Sequence, residues 1–66
     1  MTAHHLRQLW QLIEANSSEL LHELDDHSLV HWLVQRLRER CRLNREEEAE
    51  ARRYIYSRLL LIREIS

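Results

Sequence analysis

The sequence QRLRERCRLNREEEAEARR, residues 35–53, contains seven arginines and five glutamates. Its middle part, LNREE at residues 43–47, has the pattern of a helix start. Asn44 is placed to cap the free backbone amides, and Glu47, three residues later, is placed to return a hydrogen bond. Positive charge before this point and negative charge after it suit the end of one helix and the beginning of the next. The stretch therefore predicts two helices joined by a short turn.

The composition of the whole chain extends this prediction. The 66 residues include no glycine and no proline, whereas a small β-rich domain needs several tight turns that usually contain them. We therefore expect an all-α protein with a single domain, residues 1–66. A domain of this size buries only about 60% of the surface of its unfolded chain, and one cysteine excludes an internal disulfide. Its stability must come from well-packed helices, a ligand or a second copy.

Apolar residues recur at helical spacing in three segments, which predict helices over about 3–24, 27–42 and 45–64. The apolar stripe of the first segment keeps its phase through residues 16–18, although the sequence there also resembles a helix cap. We therefore favour one continuous first helix, with a break at that point as the alternative. The acidic turn at residues 25–28 ends the first helix and caps the second. The predicted fold is a small antiparallel three-helix bundle, or a four-helix bundle if the first helix breaks.

Several large apolar residues lie outside the faces that a simple three-helix core would bury. Trp32 lies about 140° from the centre of the apolar face of its helix, and Leu12 and Leu60 are similar outliers. The run LLLI at residues 59–62 covers almost every direction around its helix, which is usual for a helix buried on more than one side. We expect a homodimer whose interface contains Leu12, Trp32, Leu60 and Leu61. The alternative for Trp32 is burial beneath the first helix.

Arg58 is a cation inside the apolar stripe of the third helix. A buried guanidinium needs a carboxylate or several carbonyl groups around it. Asp25 or Asp26, at the first turn, is within reach of Arg58 in an antiparallel bundle. We predict a structural ion pair there, or a side chain that extends outward to solvent. The functional alternative is an anchor for an acidic group or a phosphate of a partner.

Five arginines are candidates for nucleic-acid contact: Arg36, Arg38, Arg40, Arg42 and Arg45. Those on the second helix flank its apolar face on two sides instead of forming one ridge, and Glu39 lies among them. The formal net charge of −1 provides no global attraction for polyanions. We interpret these arginines as solvated helix ends. The alternative function is a helix–turn–helix-like nucleic-acid-binding regulator, whose affinity would fall steeply with salt.

Three features bear on catalysis and metal binding. His27 and His31 have the spacing at which two imidazoles bind one metal ion, but the sequence fixes no further ligand. We predict surface histidines and no cofactor; the alternative is a metal-dependent helix pair through His27 and His31, which would show as zinc-dependent melting. Cys41 lies on an apolar face and is expected to act as a small hydrophobe. A chain without glycine has no phosphate-binding loop, and so short a chain encloses little pocket volume. We therefore predict no enzymatic activity.

No apolar run approaches the ~20 residues that cross a bilayer, and the sequence MTAHHLRQLW at residues 1–10 lacks the features of a signal peptide. We expect a soluble, cytoplasmic protein without membrane contact.

Four stretches carry a resemblance to known proteins: LDD at 24–26, SLVHWL at 28–33, LNREE at 43–47 and YIYSRLLLIR at 54–63. They resemble a group of short, uncharacterised helical proteins from cyanobacteria. The resemblance covers about two thirds of the chain. It implies a cyanobacterial source and no mechanism, because the group has no established activity. The prediction from the residues is a non-enzymatic interaction or regulatory module that self-associates.

Overall fold

The structure is a computed structural model that describes residues 2–16 and 18–65; within these ranges the side chains of residues 18–20 and 65 are not described. The described residues form five helices and no strand, in the order α1 (Ala3–Ala15), α2 (Ser18–Glu23), α3 (Asp26–Arg40), α4 (Arg45–Ser57) and α5 (Leu59–Ile65). The prediction of a small all-α bundle is confirmed. The number of helices is larger than predicted because two of the three predicted helices are interrupted.

The first interruption follows α1. Asn16 has an extended backbone, with φ −101° and ψ 152°, and its side-chain amide donates a hydrogen bond of 2.6 Å to the carbonyl oxygen of Leu12. The preference for one continuous helix over residues 3–24 is therefore wrong, and the alternative break is found. Helices α1 and α2 both bury apolar residues in one core, so apolar residues recur on both sides of the break. Their recurrence in the sequence therefore does not report helix continuity.

The second interruption is a single residue, Arg58, between α4 and α5. The backbone amide of Arg58 donates to the carbonyl oxygens of Tyr54 and Ile55 at 3.1 and 3.0 Å, and the amide of Ile62 donates to the carbonyl oxygen of Arg58 at 2.8 Å. The hydroxyl of Ser57 also donates to the Tyr54 carbonyl, at 2.7 Å. Such side-chain bonds back to the preceding turn often bend helices. Arg58, with φ −115° and ψ 9°, separates the two helices, so the predicted helix over 45–64 is not continuous.

The caps predicted at the two turns are confirmed. The Asp25 carboxylate accepts a 2.7 Å hydrogen bond from the amide of Ser28 at the start of α3. At the start of α4, the Asn44 side chain accepts from the amide of Glu47 at 2.8 Å, and the Glu47 carboxylate accepts from the amide of Asn44 at 3.0 Å. This is the reciprocal pattern of a capping box.

Helix α3 is central: α1 and α4 pack on it, and α2 packs against α5. The start of α1 meets the end of α3, where His4 Nε2 lies 3.8 Å from Cys41 Sγ. The start of α4 meets the end of α3 through Arg38 and Glu48, whose side chains are 3.3 Å apart. At the other ends, Asn16 after α1 lines a groove with Trp32, and the hydroxyl of Tyr56 in α4 lies 3.4 Å from His27 Nδ1 near the start of α3. Helices α1 and α4 therefore both run antiparallel to α3.

All five helices contribute to one core. Its buried apolar residues are Leu9, Leu12, Ile13, Leu21, Leu29, Val30, Leu33, Val34, Leu37, Cys41, Ala51, Ile55, Leu59 and Ile62. Beside this core, Trp10 of α1 donates its indole N–H to the hydroxyl of Tyr54 of α4 at 3.1 Å, and the two rings meet edge to face. The N–H of the half-buried indole is thereby satisfied.

Leu12 is only 5% exposed, so its predicted place at a partner interface is wrong. Leu9, Leu12 and Ile13 lie at positions i, i+3 and i+4, which is one continuous helix face. The predicted face was centred on apolar residues of both α1 and α2. Because α1 and α2 are separate helices, the direction averaged over both differs from the buried face of α1. Measured from that average, Leu12 was wrongly placed outside the core.

Candidate functional site

Arg63, and not Arg58, binds the acidic turn. Its guanidinium donates to the carboxylate of Asp26 and to the carbonyl oxygens of Leu21 and Leu24, each at 2.9 Å. The Arg63 side chain is 23% exposed. A carboxylate and two carbonyls are the partners that a part-buried guanidinium requires. Arg63 therefore ties α5 to the end of α2 and to the first turn of α3.

Arg58 is exposed, and its guanidinium lies over the ring of Tyr54, 5.4 Å from the centroid. The predicted ion pair of Arg58 with Asp25 or Asp26 is wrong, and the alternative of an outward side chain is found. Asp25 is occupied by the helix cap. The sequence signal for Arg63 was its position four residues after Leu59, beside the face that α5 buries.

The five candidate nucleic-acid-binding arginines do not form one ridge. Arg36 pairs with Glu39 at 3.2 Å, and Arg38 pairs with Glu48 at 3.3 Å. The remaining three, around the turn between α3 and α4, are exposed: Arg40, Arg42 and Arg45. Acidic side chains are thus interleaved with basic ones, as at solvated helix ends.

Trp32 is half-buried and packs in part against the core, so it lies between the two predicted environments. Shallow grooves of about 370 and 320 Å³ flank it on α3. The first groove is also lined by Leu24, His27, Ser28, His31 and Gln35. The guanidinium of Arg36 lies over the Trp32 ring, 5.4 Å from its centroid. The indole is therefore partly covered by its own chain, and its role at a partner interface stays a prediction.

The most exposed large hydrophobic side chains among the described residues lie at the end of α4 and on α5. Leu60 is 74% exposed, Tyr56 46% and Leu61 44%. We call these three residues the α4–α5 apolar patch. Tyr56 was not among the predicted interface residues, although its position four residues before Leu60 placed it one helical turn away.

His27 and His31 are both exposed on α3. They line the first Trp32 groove and a neighbouring groove of about 410 Å³ that is also lined by Val30, Arg52 and Tyr56. The hydroxyl of Tyr56 lies 3.4 Å from His27 Nδ1. Within the described residues, no group of three or more His, Cys, Asp or Glu side chains is placed to hold a metal ion. In the described part of one chain, this pair therefore offers two ligands at most.

The start of α1 has a histidine in a structural role. Thr2 Oγ1 accepts from the amide of His5 at 3.2 Å, and His5 Nδ1 accepts from the amide of Thr2 at 3.3 Å. Because Nδ1 accepts there, the carboxylate of Glu47, 3.6 Å away, is a neighbour of that nitrogen and not its hydrogen-bond acceptor. Cys41 is buried, as predicted. Its contact with His4 joins residues 37 positions apart, a distance at which the sequence carried no signal.

Comparison of this chain with protein-family models, with curated proteins and with solved structures finds no match. Among the described residues, no helix is long and apolar enough to span a membrane. The class that the fold defines is a small all-α bundle, and the resemblance to helical proteins from cyanobacteria stays a prediction. Function must be argued from the surface, because a fold alone does not specify it.

Proposed function

We propose that this protein is a non-enzymatic helical interaction module that self-associates through the α4–α5 apolar patch. The observation that carries the proposal is the 74% exposure of Leu60 in so small a chain. Burying one leucine side chain contributes about 1.5–3 kcal/mol relative to leaving it in water. Burying Leu60 and Leu61 against a second molecule would therefore stabilise the complex relative to the separate monomers.

Helix α5 is apolar on two sides. It buries Leu59 and Ile62 against its own core and presents Leu60 and Leu61 outward. A helix that is apolar all round is normally covered on more than one side, and this domain has little other material to cover it. A second copy is the occupant that we favour, because a two-fold contact places the same patch on both subunits. The net charge of −1 opposes such a contact only weakly.

Trp32 is the second candidate contact. Tryptophan is enriched among the residues that dominate binding energy at interfaces, and the grooves beside it give a partner side chain a place to pack. Since Arg36 already covers part of the ring, we expect Trp32 to contribute less than Leu60.

The experiment is sedimentation equilibrium over a wide concentration range for the wild type and for Leu60→Glu. We expect a wild-type dimer and at least a tenfold weaker association of the variant, because one carboxylate per subunit would be buried in the apolar contact. Glu64→Gln, at another exposed position of α5, is the matched control and should dimerise like the wild type. Circular dichroism checks that all three proteins are equally helical.

A wild type that stays monomeric at every concentration contradicts the proposal, and so does a Leu60→Glu variant that dimerises normally. The same samples are measured with duplex DNA added. A monomer that binds DNA with an affinity falling steeply with salt would replace the proposal by the nucleic-acid alternative.

A further inference from the structure

We infer that His27 and His31 form one half of a transition-metal site of the zinc class, and that a second copy of the chain supplies the other ligands. The inference rests on the part of the proposed function by which two chains pair, and it names an ion that strengthens this pairing. The site is incomplete in one chain and complete only in the pair.

The two histidines have the placement that shared coordination needs. They lie four residues apart within α3, which runs without interruption from Asp26 to Arg40, so their Cβ atoms are neighbours about 5–6 Å apart. Both side chains are exposed, and both line the same two adjacent grooves. The pair therefore stands on the ridge between these grooves, where an ion can reach both rings from solvent.

Tyr56 supplies a second, independent observation. Its hydroxyl lies 3.4 Å from His27 Nδ1, at the long end of the hydrogen-bond range. Histidines that bind metals almost always donate the N–H of their other ring nitrogen to a neighbouring group, which fixes the tautomer and the ring orientation. When Nδ1–H donates to the phenol oxygen, the lone pair of His27 Nε2 is left for a metal ion.

The stoichiometry follows from the ligands present. Zinc in structural sites takes four ligands in a tetrahedron, and the described part of one chain brings no third ligand to the pair. Tyr56 belongs both to the histidine cluster and to the α4–α5 apolar patch, so the pair borders the surface proposed to face a second copy. A two-fold contact there brings four imidazoles to one ion, two from each chain.

One neighbouring positive charge, that of Arg52, disfavours binding of a metal cation. Arg52 of α4 lines the groove beside His27 and His31, and its guanidinium repels a dication. Arg52→Gln should therefore tighten zinc binding.

The test is sedimentation equilibrium of untagged protein in EDTA and in zinc chloride, with calorimetry to count the ions bound. We expect zinc to tighten dimerisation of the wild type at least tenfold, with one ion per two chains. His27→Gln combined with His31→Gln should abolish this shift. His22→Gln, which removes an exposed histidine of α2, is the matched control and should retain it. Tyr56→Phe should weaken zinc binding by about tenfold, as loss of such supporting partners typically does.

The outcomes separate the two proposals. Dimerisation in EDTA without any zinc shift overturns the metal site and leaves the apolar association standing. Zinc bound to monomers with no change in mass also overturns it, because the second copy then supplies nothing. A protein that is monomeric in EDTA, and that dimerises in zinc only with both histidines present, supports the metal site and refutes the apolar association.

Discussion

At the scale of single residues, Arg58 and Arg63 show how position decides the role of a charge. Arg58 and Arg63 differ by five positions, and both lie near apolar side chains in the sequence. Arg63 has three oxygen partners at 2.9 Å, whereas Arg58 rests on the face of Tyr54. Only Arg63 is surrounded by oxygen acceptors that would lose a hydrogen bond without it.

We therefore predict that Arg63→Gln lowers the free energy of unfolding by about 1–3 kcal/mol, because the part-buried carbonyls of Leu21 and Leu24 lose a charged donor. Chemical denaturation followed by circular dichroism measures this loss. Arg58→Gln is the control, and its change should stay within about 0.5 kcal/mol, as is usual for exposed positions. Equal losses in the two variants would show that Arg63 is not the structural arginine.

At the scale of helices, the termini follow from local sequence and the interruptions do not. The Asn44–Glu47 box and the Asp25 cap were predictable because a cap depends on residues three apart. The end at Arg58 was not predicted, and the cap-like sequence after α1 gave the break there only as the alternative, since the apolar residues on both sides of each break face one core. The partners Arg63 and Asp26 lie 37 positions apart, and only the packing of α5 on α2 joins them. The sequence indicated the exposure of Leu60, which lies off the apolar stripe of its helix, whereas Tyr56 was not singled out although it lies four residues before Leu60.

The Asp25 cap predicts a pH dependence. The hydrogen bonds from the backbone amide and the side chain of Ser28 hold the pKa of Asp25 below its ordinary value of 3.8. Because the pKa is lower in the folded state, the cap stabilises α3 fully above that value, and the stabilisation is lost as pH falls through the folded pKa.

Asp25→Asn keeps a capping oxygen but does not titrate. We expect the wild type to lose more stability than this variant when pH is lowered from 5 to about 2. Thermal melts across the series test this, and parallel curves for the two proteins would contradict it.

At the scale of the whole molecule, a single core engages all five helices and still leaves α5 apolar on its outer side. The proposed association would link stability to protein concentration, since a contact made only by folded chains stabilises the folded state by mass action. We expect the melting temperature of the wild type to rise with protein concentration. That of Leu60→Glu should stay constant, and a constant value for both proteins would count against a dimer.

The single-residue interruption at Arg58 has a consequence for the last described helix. Leu59–Ile65 has seven residues, about two turns, which is below the length at which an isolated helix persists in water. Its order depends on tertiary contacts, which include the hydrogen bonds that Arg63 donates to Asp26 and to the carbonyl oxygens of Leu21 and Leu24. A disturbance at the acidic turn in the first half of the chain would therefore loosen α5 far along the polypeptide, and with it the exposed side chains of Leu60 and Leu61.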